Sequence, residues 1–365
     1  MMKKTISIFI VVLLALLSGC GNPTPQKPGE SGGASDGGAK EIIVAGNGGV
    51  IEKTIRDVIA PKYKEETGIQ INYIAGLSGE ILSKVELQKN SPQIDIAFFV
   101  PVDVQRAKDK DLTEVIDETV VTNMKEVDPR FIAVEQAAAP VFGLVIAPAY
   151  NIDSFEKNGI KPIESWNDLA SPEYKGRTAF SDITNDWGFN TLNALAIANG
   201  GSTDNMEAGL EKAKELAGYS ATFYKNSTQM IPAIQQGAAD VTVMGSYAIA
   251  ELATSGVPIK MVVPKEGVPL QAFSAALVKN APHQKEALDF INYLVSEEAQ
   301  ELISENAFYP VVNGMTIPEK YKSVIELKET DKTFKPDFAK FSEIRGEWTD
   351  KWAKEITPEL GKLLK

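Results

Sequence analysis

The chain has 365 residues, 44% hydrophobic and 24% charged, the mix of a globular protein rather than a disordered or fibrous one. Its 37 Lys and Arg against 49 Asp and Glu give a formal charge of −12, which repels phosphate backbones and argues against a nucleic-acid partner. One Cys and one His are too few for a structural zinc site or a disulfide framework.

The N-terminus reads as an address. Lys3 and Lys4 precede Ile6–Leu17, an apolar run broken only by Ser7. It is too short to cross a bilayer, which takes about 20 residues. Leu17-Ser18-Gly19-Cys20 is similar to a bacterial lipobox, whose Cys becomes the lipidated first residue. Residues 1–19 are therefore expected to be a lipoprotein signal peptide, and residues 20–40 the lipidated Cys20 and a flexible tether. The tether has almost no apolar residue to bury, and its root-mean-square reach is roughly 25 Å. Losing Lys3 and Lys4 with the leader takes the charge from −12 to −14. These features place the working part at the extracytoplasmic face of the cell membrane.

From Glu41 onward, strand and helix signals alternate. Glu41–Ala45 reads as a strand and Val50–Thr67 as a helix that Pro61 should kink and Gly68 should stop. Ile69–Ala75 is a strand, Gly79–Asn90 a helix, and Ile94–Val100 an apolar strand of the kind buried on both faces. Next come strands at Phe142–Ala147 and Arg177–Phe180, a helix at Trp187–Asn199 and a strand at Ala221–Tyr224. A helix at Thr228–Gln236, a strand at Asp240–Met244 and a helix at Ser246–Thr254 follow. Strands at Ile259–Val263 and Phe273–Val278 precede amphipathic helices at His283–Val295 and Glu297–Ser304. The order argues for an α/β fold.

Five strand-to-helix junctions carry small polar residues: Gly46-Asn47-Gly48-Gly49, Leu77-Ser78-Gly79-Glu80, Thr184-Asn185-Asp186-Trp187, Asn226-Ser227-Thr228 and Gly245-Ser246-Tyr247. Free N–H groups at a helix start favour a negative group, and in open α/β sheets such junctions gather where ligands bind. Each also serves as an ordinary helix cap. The Gly46-Asn47-Gly48 run lacks the third glycine of a dinucleotide fingerprint, since position 51 is Ile51. There is no Gly-x-Ser-x-Gly elbow, no His-Glu-x-x-His and no Walker loop, so no catalytic residue, metal site or cofactor is expected. His283 is expected as a solvated surface residue.

Four segments carry a family resemblance. Ser78-Gly79-Glu80 with Ile81–Lys84, then Pro92-Gln93-Ile94-Asp95-Ile96, resembles a glycine-rich turn, helix and "aD-v" strand. Ser165-Trp166-Asn167-Asp168-Leu169 through Pro172-Glu173-Tyr174-Lys175-Gly176 resembles SW-x-DL-x-x-P-x-YKG. Val263-Pro264-Lys265-Glu266-Gly267 resembles a P-x-E-G turn, and Ala287–Gln300 resembles an A-x-x-F-I helix followed by S-x-E-A-Q. With Tyr309-Pro310-Val311 they span most of Glu41–Val324. The chain resembles the substrate-binding lipoproteins of ABC importers, of the type II periplasmic-binding-protein fold. Within them it is similar to the cluster that binds ferric iron, thiamine, aminoethylphosphonate and polyamines.

The resemblance implies two α/β lobes joined by hinge strands, with a ligand cleft between them and crossings near Pro140 and Pro264. Lobe 1 is expected over 41–139 and 265–320, lobe 2 over 140–264 and 321–365. It also implies a small-molecule ligand, membrane permease subunits as partners, a monomer and no enzymatic step. A lipoprotein enzyme or an adhesin stands as the rival class. Asn47, Ser78, Gly79, Glu80, Asp103, Asn185, Asp186, Trp187, Ser227, Thr228, Ser246 and Tyr247 are the expected ligand contacts. Ser78-Gly79-Glu80 and Asn185-Asp186-Trp187 are expected to face each other across the cleft.

Family members that hold iron commonly use an adjacent Tyr pair, which is missing here, although Tyr224 and Tyr247 remain as a separated pair. Where polyamine binders carry Trp-Asn-Gly-Ser, this chain has Val243-Met244-Gly245-Ser246, though Asp186-Trp187 and Asp103 supply parts of a polyamine cage. A phosphonate or phosphate ester would use the helix starts at Ser78-Gly79 and Ser227-Thr228, with any amine meeting Glu80 or Asp186. Of five Arg, only Arg177 lies beside an expected cleft strand, which speaks against an anion held by arginine forks.

Because Cys20 is the only thiol, Cys20→Ala is expected to leave the protein unlipidated. In a detergent phase-separation assay the variant should move to the aqueous phase. Continued partition with the membrane phase would refute the lipobox.

Overall fold

Two long strands organise the molecule. A computed structural model describes residues 41–365; the expected signal peptide, Cys20 and the tether to residue 40 lie outside the described residues. Strand β1 (Glu41–Gly46) leads into a helical run of α1 (Val50–Lys53), a π-wound turn over Thr54–Ile59 and α2 (Ala60–Thr67). Pro61 lies in the first turn of α2, where its missing N–H costs little, and the π turn before it takes up the expected break. Gly68 ends α2 at φ 76°, the left-handed stop expected of it. Then come β2 (Gln70–Ala75), α3 (Ser78–Leu87), β3 (Ile96–Phe99) and α4 (Pro101–Asp109).

Strand β4 (Ala139–Asn151) is 13 residues long, well beyond the segment expected from its apolar run. It is followed by α5 (Ile152–Asn158), β5 (Thr178–Ser181), α6 (Asp186–Ala198), α7 (Leu210–Tyr219) and β6 (Phe223–Tyr224). Next are α8 (Ser227–Gln235), β7 (Val241–Gly245), α9 (Ser246–Thr254), β8 (Ile259–Met261) and β9 (Val268–Leu277). The chain continues through α10 (Gln284–Leu294), α11 (Glu297–Ser304), α12 (Glu319–Ile325), β10 (Thr333–Phe334) and α13 (Phe338–Lys351). Helices α4, α5, α7, α12 and α13 carried no expectation from periodicity.

The strands run in the order β2-β1-β3-β9-β4-β7-β5-β6, with β10 on β9 and β8 on β4. Parallel pairs β1–β2 and β1–β3 lie in one lobe, and parallel pairs β5–β6 and β5–β7 in the other. Between them, β4 pairs antiparallel with β9 over Ala139–Val145 and then with β7 over Ile146–Tyr150. Strand β9 also pairs with β3 over Ser274–Leu277. The two lobes thus share β4 and β9. The change of partner on β4 falls between Val145 and Ile146, and the ladder is irregular at Pro140, which has no N–H to give. Helix α13 packs on α4 of the first lobe and sets Phe341 edge-on to Phe189 of α6 in the second, ring centroids 4.7 Å apart.

Apolar side chains of both lobes form one continuous core. A row of rings crosses it: Phe98 on β3 meets Phe142 on β4 at 5.4 Å, Phe142 meets Phe308 at 4.8 Å, and Phe308 stacks on Tyr247 of α9 at 4.8 Å. Such contacts add to area burial about 0.5–1.5 kcal/mol each.

His283 corrects one expectation. Its ring is 44% exposed, but Nδ1 lies 3.2 Å from Asp95 Oδ2, and Asp95 is fully buried. Asp95 also accepts the Ile43 N–H at 2.8 Å and the His283 N–H at 2.9 Å, pinning the start of α10 to β1. Charge-assisted bonds of this kind are worth roughly 1.5–3 kcal/mol each, and their loss strands two amides. Asp95→Ala should therefore lower stability by about 3 kcal/mol or more in equilibrium urea unfolding. A loss under about 1 kcal/mol would show that the carboxylate does not pin these segments.

Candidate functional site

The helix starts that follow β1, β2, β3, β5, β6 and β7 converge on the seam between the lobes. They enclose a cavity of about 360 Å³. The first lobe supplies Asn47, Leu77, Ser78, Gly79, Val100, Asp103 and Arg106. The second supplies Thr184, Asn185, Asp186, Trp187, Lys225, Asn226, Ser227 and Tyr247. Phe273 comes from the shared strand β9, and Arg345 from α13.

On the first-lobe wall, α3 begins at Ser78, so its leading N–H groups have no partner within the helix. Glu80 Oε2 accepts the Leu77 N–H at 3.0 Å. The Ser78 hydroxyl donates to Asp103 Oδ2 at 2.7 Å and accepts the Val100 N–H at 3.1 Å, locking α3 to α4. Arg106 Nη1 donates to Asp103 Oδ1 at 2.8 Å, so both oxygens of this buried carboxylate are engaged. Asn47 accepts the Tyr73 hydroxyl on its backbone oxygen at 2.7 Å, while its side-chain Oδ1 is buried without a protein partner.

On the opposite wall, Asn185 caps α6 by accepting the Trp187 N–H at 2.9 Å and ties α6 to the next turn through the Lys225 carbonyl at 3.2 Å. Gly188 permits this turn, because a Cβ there would collide with the Asp182 carbonyl. Asp186 Oδ2 accepts from Gln271 Nε2 on β9 at 2.6 Å, whereas Oδ1 is buried with no partner. Burial raises the Asp186 pKa; the Arg345 charge and the Gln271 hydrogen bond pull it down, and Asp103 pushes it up further. Arg345 Nη2 donates to the Thr184 carbonyl at 2.9 Å, and its guanidinium carbon lies 5.2 Å from the Phe189 ring centre. Arg345 Nη1 is buried without a partner. Tyr247 meets Trp187 at 6.2 Å and Phe273 at 6.3 Å, both edge-on, and burial raises its hydroxyl pKa, so it stays a neutral phenol.

Of the expected contacts, Asn47, Ser78, Gly79, Asp103, Asn185, Asp186, Trp187, Ser227 and Tyr247 line this one cavity. Glu80, Thr228 and Ser246 do not. Glu80 is spent on the Leu77 N–H, and Thr228 is exposed and donates to Asn226 Oδ1 at 2.7 Å. Ser246 is fully buried, its oxygen 3.4 Å from the Val145 N–H. Tyr224 is absent from the wall that holds Tyr247. The arginine expectation is overturned: Arg177 is bound to Asp240 outside the cavity, while Arg106 and Arg345 line it. Arg106 was findable, three places after Asp103 on a helix opened by Pro101. Arg345 had no local signal.

The direction of the Asp186 shift fixes a pH dependence. A raised folded-state pKa leaves stability intact below the unfolded carboxylate pKa of about 4 and removes it as pH rises through the folded value. Asp186→Asn should therefore raise the melting temperature of the ligand-free protein at neutral pH, with the gain shrinking toward pH 4. A gain that is constant with pH, or absent, would show that the buried carboxylate carries no such penalty.

Comparison with known proteins agrees with this architecture. Residues 59–329 match the family model described as bacterial extracellular solute-binding protein. Iron uptake protein A1 of Synechocystis sp. is 25% identical over 347 residues, covering 87% of this chain and 88% of that protein. The spermidine/putrescine-binding periplasmic protein of Salmonella typhimurium is 26% identical over 295 residues, covering 79% and 81%. The periplasmic binding protein AfuA of Actinobacillus pleuropneumoniae, solved with fructose-6-phosphate, has a TM-score of 0.72 at 21% identity, covering 87% of this chain and 99% of that one. The fold is the two-lobed α/β fold of type II periplasmic binding proteins. The chain belongs to the bacterial extracellular solute-binding protein family, the solute-capturing components of ABC-type importers.

Proposed function

We propose that the protein captures a small charged organic solute, foremost a phosphonate or phosphate ester, by closure of its two lobes and delivers it to a membrane permease. The observation that carries this reading is a set of buried, unpartnered atoms of opposite need on the cavity wall: the donor Arg345 Nη1 and the acceptors Asp186 Oδ1 and Asn47 Oδ1. Each unmet buried group costs about 1–3 kcal/mol, so a ligand with both an acceptor and a donor recovers that cost on binding. Three cationic side chains, Arg106, Lys225 and Arg345, stand against two carboxylates, Asp103 and Asp186, within a chain of formal charge −12. That local excess favours a ligand with an anionic group over a bare amine. The helix starts at Ser78 and Ser227 add N–H groups suited to phosphate oxygens. Fructose-6-phosphate in AfuA is consistent with this class.

Ferric iron is the second reading, favoured by the iron uptake relative that covers 87% of the chain. Its oxygen donors here would be Tyr247, Asp186 and Asp103, the last with both oxygens already engaged. Polyamines, named for another relative, would find Trp187, Tyr247 and Phe273 as apolar walls. In all three readings binding needs no bond chemistry, and the protein is a binder rather than an enzyme. The lobes take the ranges 41–139 with 265–320 and 140–264 with 321–365, and Cys20 anchors a monomer to the extracytoplasmic face of the membrane.

A thermal-shift screen of the full chain with 2-aminoethylphosphonate, fructose 6-phosphate, spermidine, thiamine and ferric citrate tests this. A concentration-dependent rise with a phosphorylated or phosphonylated compound is expected. A rise with ferric citrate alone would favour iron, and with spermidine alone a polyamine. Consumption of any compound would point to an enzyme. Small-angle scattering should show a smaller radius of gyration with the stabilising compound, and an unchanged radius would count against lobe closure.

A further inference from the structure

Arg345 stands apart from the other cations of the cavity. Arg106 Nη1 is spent on Asp103, and Lys225 is exposed on the rim. Arg345 is held in place by its surroundings. Its Nη2 is fixed on the Thr184 carbonyl, its plane lies over Phe189, and α13 is clamped by Phe341 against the same Phe189 and by the ion pair of Lys351 with Glu207. What this placement leaves is one buried nitrogen, Nη1, on the cavity wall with no acceptor for its N–H groups. Asp186 is near enough for its charge to be felt, yet no hydrogen bond joins the two: Gln271 takes Asp186 Oδ2, and Oδ1 is itself unmet. A guanidinium held in place, with a buried nitrogen that has no acceptor, is arranged for an anionic oxygen that arrives with the ligand.

We propose that Arg345, carried into the cleft by α13, is the residue that reads the ligand's anionic group. The inference rests on the phosphonate or phosphate-ester reading of the same cavity. It makes α13 part of the binding site. Because α13 packs on α4 of one lobe and on α6 of the other, an oxygen held by Arg345 is held by a helix that touches both. Its specificity follows from charge: the site should prefer a phosphorylated solute to a cationic one mainly through this side chain.

Calorimetric titration of the full chain with fructose 6-phosphate and 2-aminoethylphosphonate tests it. Arg345→Gln should weaken the tighter of the two by about 10–150-fold and flatten the fall of affinity with added salt. Arg345→Lys should bind at an intermediate level with the salt dependence kept, a rescue that a merely structural arginine would not show. If Arg345→Gln fails to fold, Arg345→Lys decides, and unchanged affinity in it overturns the proposal. If the unmodified chain binds a phosphorylated probe and Arg345→Gln binds it within threefold, the role of Arg345 falls while the reading of the cavity stands. If the unmodified chain binds neither probe, both fall.

Discussion

The structure depends on the antiparallel pairing of β4 with β9. Strand β4 is hydrogen-bonded to β9 along its first half and to β7 of the second lobe along its last, while β9 passes from β4 to β3 of the first lobe at its end. A lobe cannot rotate far without bending these two strands, and the β4–β9 ladder between them has little freedom to shear. Any motion of the lobes would therefore be confined to a hinge about that ladder, and the cavity lies where the helix starts of both lobes meet. Gln271 sits on β9 itself and holds Asp186 of the second lobe, so a residue of the hinge is also a support of the site.

Unmet polar atoms collect at the cavity. Asn47 Oδ1, Asp186 Oδ1 and Arg345 Nη1 on its wall, and Gln271 Oε1 on the residue that bonds Asp186, are buried without protein partners. Two other buried carboxylates are satisfied: Asp95, away from the cavity, binds two amides, and Asp103, on its wall, binds a hydroxyl and a guanidinium. Of the two carboxylates on the cavity wall, Asp103 has both oxygens engaged and Asp186 keeps one without a partner. Burial, with one oxygen left unmet, is why the ionised form of Asp186 is disfavoured.

Much of this was legible in the sequence where the signal is local. The turns at Ser78-Gly79 and Asn185-Asp186-Trp187 could be marked because small polar residues between an apolar strand and a periodic helix both cap the helix and, at a strand's carboxyl end, face the place where ligands gather. The same logic overreached at Glu80, Thr228 and Ser246. A side chain one place further along a cap can turn back onto the backbone, as Glu80 does, and sequence does not say which way it turns. Arg345 was invisible for a different reason. It meets Thr184 across 161 positions, and nothing in Phe338–Lys351 announces which turn of that helix reaches a cleft. The lengths of β4 and β9 were underestimated because their ends look like ordinary apolar runs, and only pairing reveals that one strand serves two lobes.

Helix α13 has a consequence for the order of events during biosynthesis. A nascent chain that has reached only residue 330 holds every strand of both lobes except β10, along with most of the wall, but not Arg345. Such a chain can fold its sheets while its cleft still lacks one wall. The last piece of the cavity wall is thus added to the chain after the strands on which the rest of the wall is mounted.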